Sequence, residues 1–322
     1  MRLRGWVVLA CALNGTSAMA DWQLQHEERF AAGRPLDAGF WRLESGFHRN
    51  REDQYYAPGN VTVQDGLLRF EARREEVPNA DWQAGSRDWR RSRRTSSYTS
   101  GSIVSRAPLH FARVEVVARN TGGAGVWPAI WLVHEAAGLY GEIDLFEYVG
   151  KHPETVFAGV HWGRDPRTRR HRNDWKKVAG FEGRWATHSL EWTPSAITIS
   201  LDGQPWFRFD PEEARLRGGG DPLRQPMHLR LNLALGGSWG GAIDEKALPA
   251  RFEVASIRVW RWAPGARADG TPPAQAAAPP PAPAPAAAAP IAPAPAPPPD
   301  RAPVVPLPAS ESTAPGNFRW GR

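Results

Sequence analysis

The segment HSLEWTPSAITISLDGQPWFRF (188–209) holds three short runs of alternating apolar and polar residues, broken at Thr193-Pro194 and at Asp202-Gly203. Side chains with period two suit strands that bury one face, and turn residues this closely spaced leave no room for a long helix. The same texture recurs. NVTVQDGLLRFEAR (60–73) is two alternating runs around Asp65-Gly66, a hairpin signal. FARVEVVAR (111–119), HLRLNLAL (228–235) and FEVASIRVWRW (252–262) add further strands, and only DPEEARLR (210–217) reads as a helical turn or two. Many short strands between turns predict an all-β domain, a sandwich or a barrel.

Both ends of the chain stand apart from this texture. MRLR, the apolar run GWVVLACALNG and Ala18-Met19-Ala20 together read as a signal peptide over residues 1–20, with a mature start at Asp21. The apolar run is shorter than the roughly 20 residues that a bilayer-spanning helix needs. An uncleaved interfacial anchor and lipidation at Cys11 are the competing readings. Cys11 is the single cysteine, so the mature protein would have no disulfide and would rely on core burial. From about Gly265 the composition changes, and residues 272–308 are nearly all Pro and Ala. Such a stretch favours extended polyproline-like conformations over a packed core. The expected organisation is therefore one globular domain, 21–264, followed by a disordered tail, 265–322, which would reach along or through a cell envelope. Export to the periplasm or the medium follows from the leader.

The formal charge is +6, and losing Arg2 and Arg4 with the leader lowers it by two, to +4. Much of the positive charge is local, in RDWRRSRRT (87–95) and GRDPRTRRHRNDW (163–175), where Trp lies among Arg. The segments read as solvated surface loops, with contact to an anionic polymer as the functional alternative. No nucleic-acid motif accompanies them, and nucleic acid is not expected as a partner.

GEIDLFEY (141–148) carries the chemistry. Glu142 and Asp144 share one face of a strand, whereas a regular strand would send Glu147 to the other. The plain reading is a half-exposed strand with Ile143 and Leu145 inward. It sets two like charges side by side without a base between them, which costs stability, and leaves Phe146 on the acid face. One extra residue, a β-bulge near Leu145-Phe146, returns Glu147 to the face of Glu142 and Asp144. Three convergent carboxylates suit glycoside hydrolysis, in which a retaining mechanism uses one as nucleophile and one as acid/base. GVWPAIWLV (125–133) places Trp127 and Trp131 just before the acids, and a Trp face is a platform for a sugar ring. The chain has 16 Trp, several in Gly-rich contexts (Trp127, Trp162, Trp239), more than a core requires.

GEIDLFEYVG resembles the ExDxxE signature of glycoside hydrolase family 16, in its laminarinase-like (endo-β-1,3-glucanase) branch. NREDQYY (50–56), YTSG (98–101), GVHWG (159–163), LEW (190–192), LDG (201–203), LNLALGGSWGG (231–241) and RFEVASIRVW (251–260) resemble family segments in family order, covering about residues 25–262. The resemblance implies a β-jelly roll of two antiparallel sheets with a concave cleft for a polysaccharide. By position in the motif, it implies Glu142 as nucleophile, Glu147 as general acid/base and Asp144 as the acid supporting the nucleophile. Trp131 would lie beneath the sugar at the cleavage point with Trp127 close by. Asn50 and Glu52 would contact sugar hydroxyls, and His161 would lie near the catalytic centre. Asn232 and Trp239 would line the cleft towards the non-reducing end.

Some positions depart from the pattern. Phe146 stands where Met is usual, at the bulge itself. Ala255 stands where the last strand often carries an Asp that helps hold a structural calcium, which speaks against calcium here. HEERF (26–30) is altered from the usual acidic entry, and segment 163–175 maps to no family feature. The expectation is a monomeric, exported, retaining endo-glycosidase acting on a β-glucan, with neither cofactor nor metal. A depolymerase or transglycosylase acting on a bacterial exopolysaccharide or sulfated galactan stays open as an alternative. So does a non-catalytic glycan-binding protein, although such proteins often lose one of the acids and all three are present.

Overall fold

The computed structural model describes residues 22–30, 34–165 and 167–264. Both the leader and the Pro/Ala-rich tail lie outside these residues. In chain order the strands are β1 (Trp22–Arg29), β2 (Trp41–Leu43), β3 (Gln54–Tyr56), β4 (Val61–Gln64), β5 (Leu67–Pro78) and β6 (Thr95–Ser100). There follow β7 (Ser102–Ser105), β8 (Ala112–Asn120), β9 (Val126–Ala136), β10 (Leu139–Tyr148), β11 (Thr155–Gly163) and β12 (Arg170–Lys177). The last five are β13 (Ala186–Trp192), β14 (Ile197–Leu201), β15 (Gln204–Phe209), β16 (His228–Leu235) and β17 (Ala250–Trp262).

They form two sheets. One runs β15-β14-β13-β8-β17-β5-β6-β3, with β1 sharing an edge of β17 with β5 and with β4 beside β5; the other runs β12-β11-β10-β9-β16-β7-β2. Pairing is antiparallel except between β3 and β6. The turns follow their residues. Asp65-Gly66 and Asp202-Gly203 take positive φ at both positions, the twist a two-residue hairpin needs. Residues 210–217 supply one 3-10 turn, Pro211–Ala214, capped by Asp210, whose Oδ1 accepts from Glu212 N–H at 2.9 Å.

The core lies between the sheets. Leu68 and Phe70 of β5, Val114 and Val116 of β8 and Phe252 and Val254 of β17 meet Ile130 and Leu132 of β9, Ile143 of β10 and Leu229, Leu231 and Leu233 of β16. Trp41, Trp192 and Trp162 join this core, so Trp162 is a packing residue despite its Gly-rich neighbourhood. A smaller apolar cluster, Ala129, Trp131, Val133 and Tyr140, sits on the other face of the seven-stranded sheet. That face carries the site.

Both Arg-rich segments lie largely exposed, as expected, but each carries regular structure. Asp88 caps a helical turn, Trp89–Ser92, within the first. The second enters β12, an edge strand paired with β11 from Thr155↔Lys177 to Trp162↔Arg170. β12 is exposed along most of its length, so no apolar alternation betrays it. Its charges suit an edge that must not pair with another chain.

Candidate active site

β10 carries the three acids and departs from regular pairing where their spacing demands it. Asp144 lies opposite Trp131 of β9, Phe146 opposite Ile130, and Glu147 opposite Ala129. On the other side Asp144 lies opposite Gly159 of β11 and Glu147 opposite Phe157. Both neighbours advance two residues while β10 advances three, so Leu145 is the extra residue of a bulge. Leu145 and Phe146, though consecutive, are both buried in the core, where Phe146 packs 4.1 Å from the His188 ring and 5.9 Å from that of Phe181. Glu142, Asp144 and Glu147 consequently share the site face, as the sequence predicts.

His161, opposite Glu142, lies between two of the acids. Its Nε2 is 3.2 Å from Asp144 Oδ2 and 3.8 Å from Glu142 Oε1, with the Glu142 side chain 14% exposed and the other two almost fully buried. Burial lowers the His161 pKa, but the hydrogen bond that its ring donates to Asp144 and the charges of Glu142 and Asp144 outweigh it, and the net shift is upward. Burial and Asp144 raise Glu142, opposed by His161, by the Tyr140 hydroxyl that donates to Glu142 Oε2, and by Arg169. Burial, Asp144 and Glu142 push Glu147 well above the usual carboxylate range, against a 3.0 Å hydrogen bond from Trp127 Nε1 and the charge of Arg169. The two glutamates therefore differ. Both are raised, Glu147 well above the usual carboxylate range, and Glu142 has in His161 and Tyr140 the added groups that favour its anion.

The expected sugar contacts fall on the same face. Trp131 and Asn232 are joined by a 2.7 Å hydrogen bond from Nε1 to Oδ1. Trp239 stands edge-on to Trp127 (5.2 Å, 89°) and to Phe157 (5.0 Å, 75°), so its ring supports the indole that holds Glu147. Asn50 and Glu52 arrive on a loop docked on the end of β16. Asp53 N–H donates to Leu235 O (2.8 Å) and Ser238 N–H to Asn50 O (2.9 Å). Gly237, at positive φ, permits this approach, since a Cβ there would stand 2.9 Å from Asn50 O. Glu52 is buried and accepts from Gln54 (2.7 Å), Tyr56 (3.1 Å) and Asn50 (3.2 Å). It fixes Asn50 from beneath, while Asn50 is the more exposed of the two.

Three residues of this face go beyond the sequence reading. Tyr140 is two positions before Glu142 on the same strand, and its period-two placement was the available signal. Arg49 and Arg230 flank Trp131, their guanidinium carbons 5.2 and 4.8 Å from its ring centroid. Arg230 is likewise two before Asn232, whereas nothing in sequence ties Arg49 to Trp131.

The calcium suggested by the resemblance finds no ligand at Ala255, a methyl-bearing residue at a register shift in β17. Nearby on β1, His26 and Glu28 come together with Asp37, a set that includes a nitrogen donor and so departs from the all-oxygen shell calcium prefers.

A two-sheet domain with a carboxylate cluster, a histidine and tryptophans on one open face defines a polysaccharide-acting glycosidase. The family model for glycosyl hydrolases family 16 matches residues 49–248, and the chain belongs to that family. It is a glycoside hydrolase. It is 31% identical over 280 residues to a beta-glucanase of Rhodothermus marinus, a match covering 80% of this chain and 92% of that one. It is 27% identical to glucan endo-1,3-beta-glucosidase A1 of Niallia circulans, over 76% of this chain and 38% of that one. Among solved structures, the laminarinase from Rhodothermus marinus superposes with a TM-score of 0.61 at 31% identity, covering 75% of this chain and 98% of that one.

Proposed function

We propose that the protein is an exported, retaining endo-β-glucanase that cleaves β-1,3 bonds. The observation that carries this reading is the bulge at Leu145, which aligns two glutamates in unlike surroundings on one open face. Glu147, holding its proton, donates it to the departing glycosidic oxygen while the Glu142 carboxylate attacks the anomeric carbon. The glycosidic C–O bond breaks and a glycosyl ester to Glu142 forms. Glu147, now a carboxylate, takes a proton from water. The hydroxide so formed bonds to the anomeric carbon, and Glu142 leaves as the carboxylate. Tyr140 and His161 hold Glu142 in place, and Asp144 holds His161. The β-1,3 preference is supported by the glucan-cleaving relatives, and export by the leader-like residues 1–20.

The test is hydrolysis of laminarin, lichenan, agarose and a bacterial exopolysaccharide, with products separated by size and their anomeric form followed by NMR. Laminarin should give short oligosaccharides that first appear as the β-anomer. Glu142→Gln and Glu147→Gln should each lower turnover by a factor on the order of 10²–10⁴ with the circular-dichroism spectrum unchanged. Substantial hydrolysis by both variants, or α-anomeric first products, would overturn the reading.

A further inference from the structure

Arg49 and Arg230 stand where the mechanism has no use for a cation. By register, Arg42 of β2, Val104 of β7, Arg230 of β16, Trp131 of β9 and Asp144 of β10 form one row across the site face. Strands are about 4.8 Å apart, so Arg230 lies two spacings, ~10 Å, from Asp144, beside a neighbouring sugar and away from the reacting one. Arg49 comes to the same place from the loop that carries Asn50.

The carboxylates around them are already engaged. Glu44 accepts from Arg49 and from Ser102 (2.7 Å), and Glu52 from its three donors. Glu135, the partner of Arg230, stands 3.8 Å off with its side chain 55% exposed. Among the described residues Arg230 Nε and Arg49 Nη1 are buried without a hydrogen-bond partner, while each side chain as a whole keeps about one-seventh of its surface open (14% and 15%). Arg49 is met by Glu44, whereas Arg230 has only the distant, exposed Glu135; a guanidinium so placed is costly to keep unless an anion meets it, and two on one ring repel. Outside this pair the first Arg-rich segment forms a rim. Arg93 reaches Asp53 at 3.2 Å and lies 5.5 Å over Phe47, which ties that segment to the Asn50 loop.

We propose that this end of the site recognises a β-glycan carrying an anionic substituent, a sulfate ester or a carboxylate, held by Arg49 and Arg230 on the sugar next to the cleaved bond. The inference rests on the glucanase reading above and narrows its substrate. Sugar hydroxyls alone are met by amides and carboxylates; the guanidinium fork matches two anionic oxygens. The basic edge strand β12 at the far side of the same sheet adds a field that draws such a polymer in.

The test uses the full chain on laminarin and on lightly O-sulfated laminarin prepared from it. The expected kcat/KM is about tenfold higher on the sulfated polymer, the size of one charge-assisted contact, with the advantage shrinking at high salt. Arg230→Met should bring the ratio of the two polymers close to one, chiefly through KM. Arg230→Lys, which keeps the charge without the fork, should retain part of it. A wild-type ratio of one or less, or an Arg230→Met protein that keeps the wild-type ratio, would overturn the proposal. Cleavage of neither polymer would instead overturn the glucanase reading. Retardation of Glu142→Gln protein in native gels cast with each polymer would then decide: stronger retardation by the sulfated form supports the anion site, and equal retardation defeats it.

Discussion

Glu142 and Glu147 bear the same carboxyl group on one strand, and each owes its proton affinity to different neighbours. Both are raised by burial and by Asp144. Only Glu142 has His161 and the Tyr140 hydroxyl to favour its anion; Glu147 has the weaker help of one indole N–H. In the proposed mechanism the alkaline limb of the pH–rate profile reports Glu147 losing its proton. Trp127→Phe removes a bond that stabilises the Glu147 anion, so its pKa rises and the alkaline limb moves to higher pH. Asp144→Asn removes a charge that destabilises that anion, so the limb moves to lower pH, and kcat falls because His161 loses its partner. Profiles of kcat/KM on one oligosaccharide check both signs. Shifts in a common direction would show that Glu147 is not the group being titrated.

At the scale of the element, β10 is a regular strand with one residue too many. Removing Leu145 would leave Asp144 opposite Trp131 and Gly159, Phe146 opposite Ile130, and Glu147 opposite Ala129 and Phe157, with no shift on either side. A protein lacking Leu145 is therefore expected to fold, to keep its acids on one face and to retain measurable hydrolysis. It should lose roughly 1.5–3 kcal/mol with the buried Leu side chain, measured by urea unfolding. Loss of activity as complete as in Glu147→Gln would mean that the bulge does more than keep register. The strand and its bulge were legible because alternation and the five-residue gap between Glu142 and Glu147 are both counted along one segment. β12 was not, because its exposed faces erase the period that marks a strand. Arg49 was not, because it reaches Trp131 through a chain reversal at Asn50 and Arg51, both at positive φ, and no local pattern encodes that contact. Trp162 misled for a related reason: flanking glycines look alike beside a core indole and a ligand-facing one.

Across the whole molecule, stability against acid depends on groups outside the catalytic cluster. His188 of β13 is fully enclosed between the sheets, 4.1 Å from the Phe146 ring and 6.2 Å from that of Phe181, and among the described residues its Nε2 has no hydrogen-bond partner. Burial lowers its pKa from 6.5 to about 3, against a small opposing pull from Asp202. The folded protein holds it neutral while the unfolded chain takes up a proton. Its contribution is complete above pH 6.5 and is lost as pH falls from there towards 3. Glu44, held down to about 2 by Arg49, His48 and Arg230 despite burial that raises it, behaves alike over a lower window. Its contribution is complete above 4.5 and lost as pH falls towards 2. His161 and the raised pair Glu142 and Glu147 lean the other way, losing stability as pH rises, but they are common to both proteins in a single-site comparison. His188→Leu should thus flatten the decline between about pH 6.5 and 4.5 by a few kcal/mol, each pKa unit being worth about 1.4 kcal/mol. The part of the fall below about pH 4.5 that Glu44 contributes should remain. Urea unfolding of both proteins across this range measures the difference directly. Parallel curves would show that His188 is protonated inside the fold, and that the space between the two sheets admits a charge.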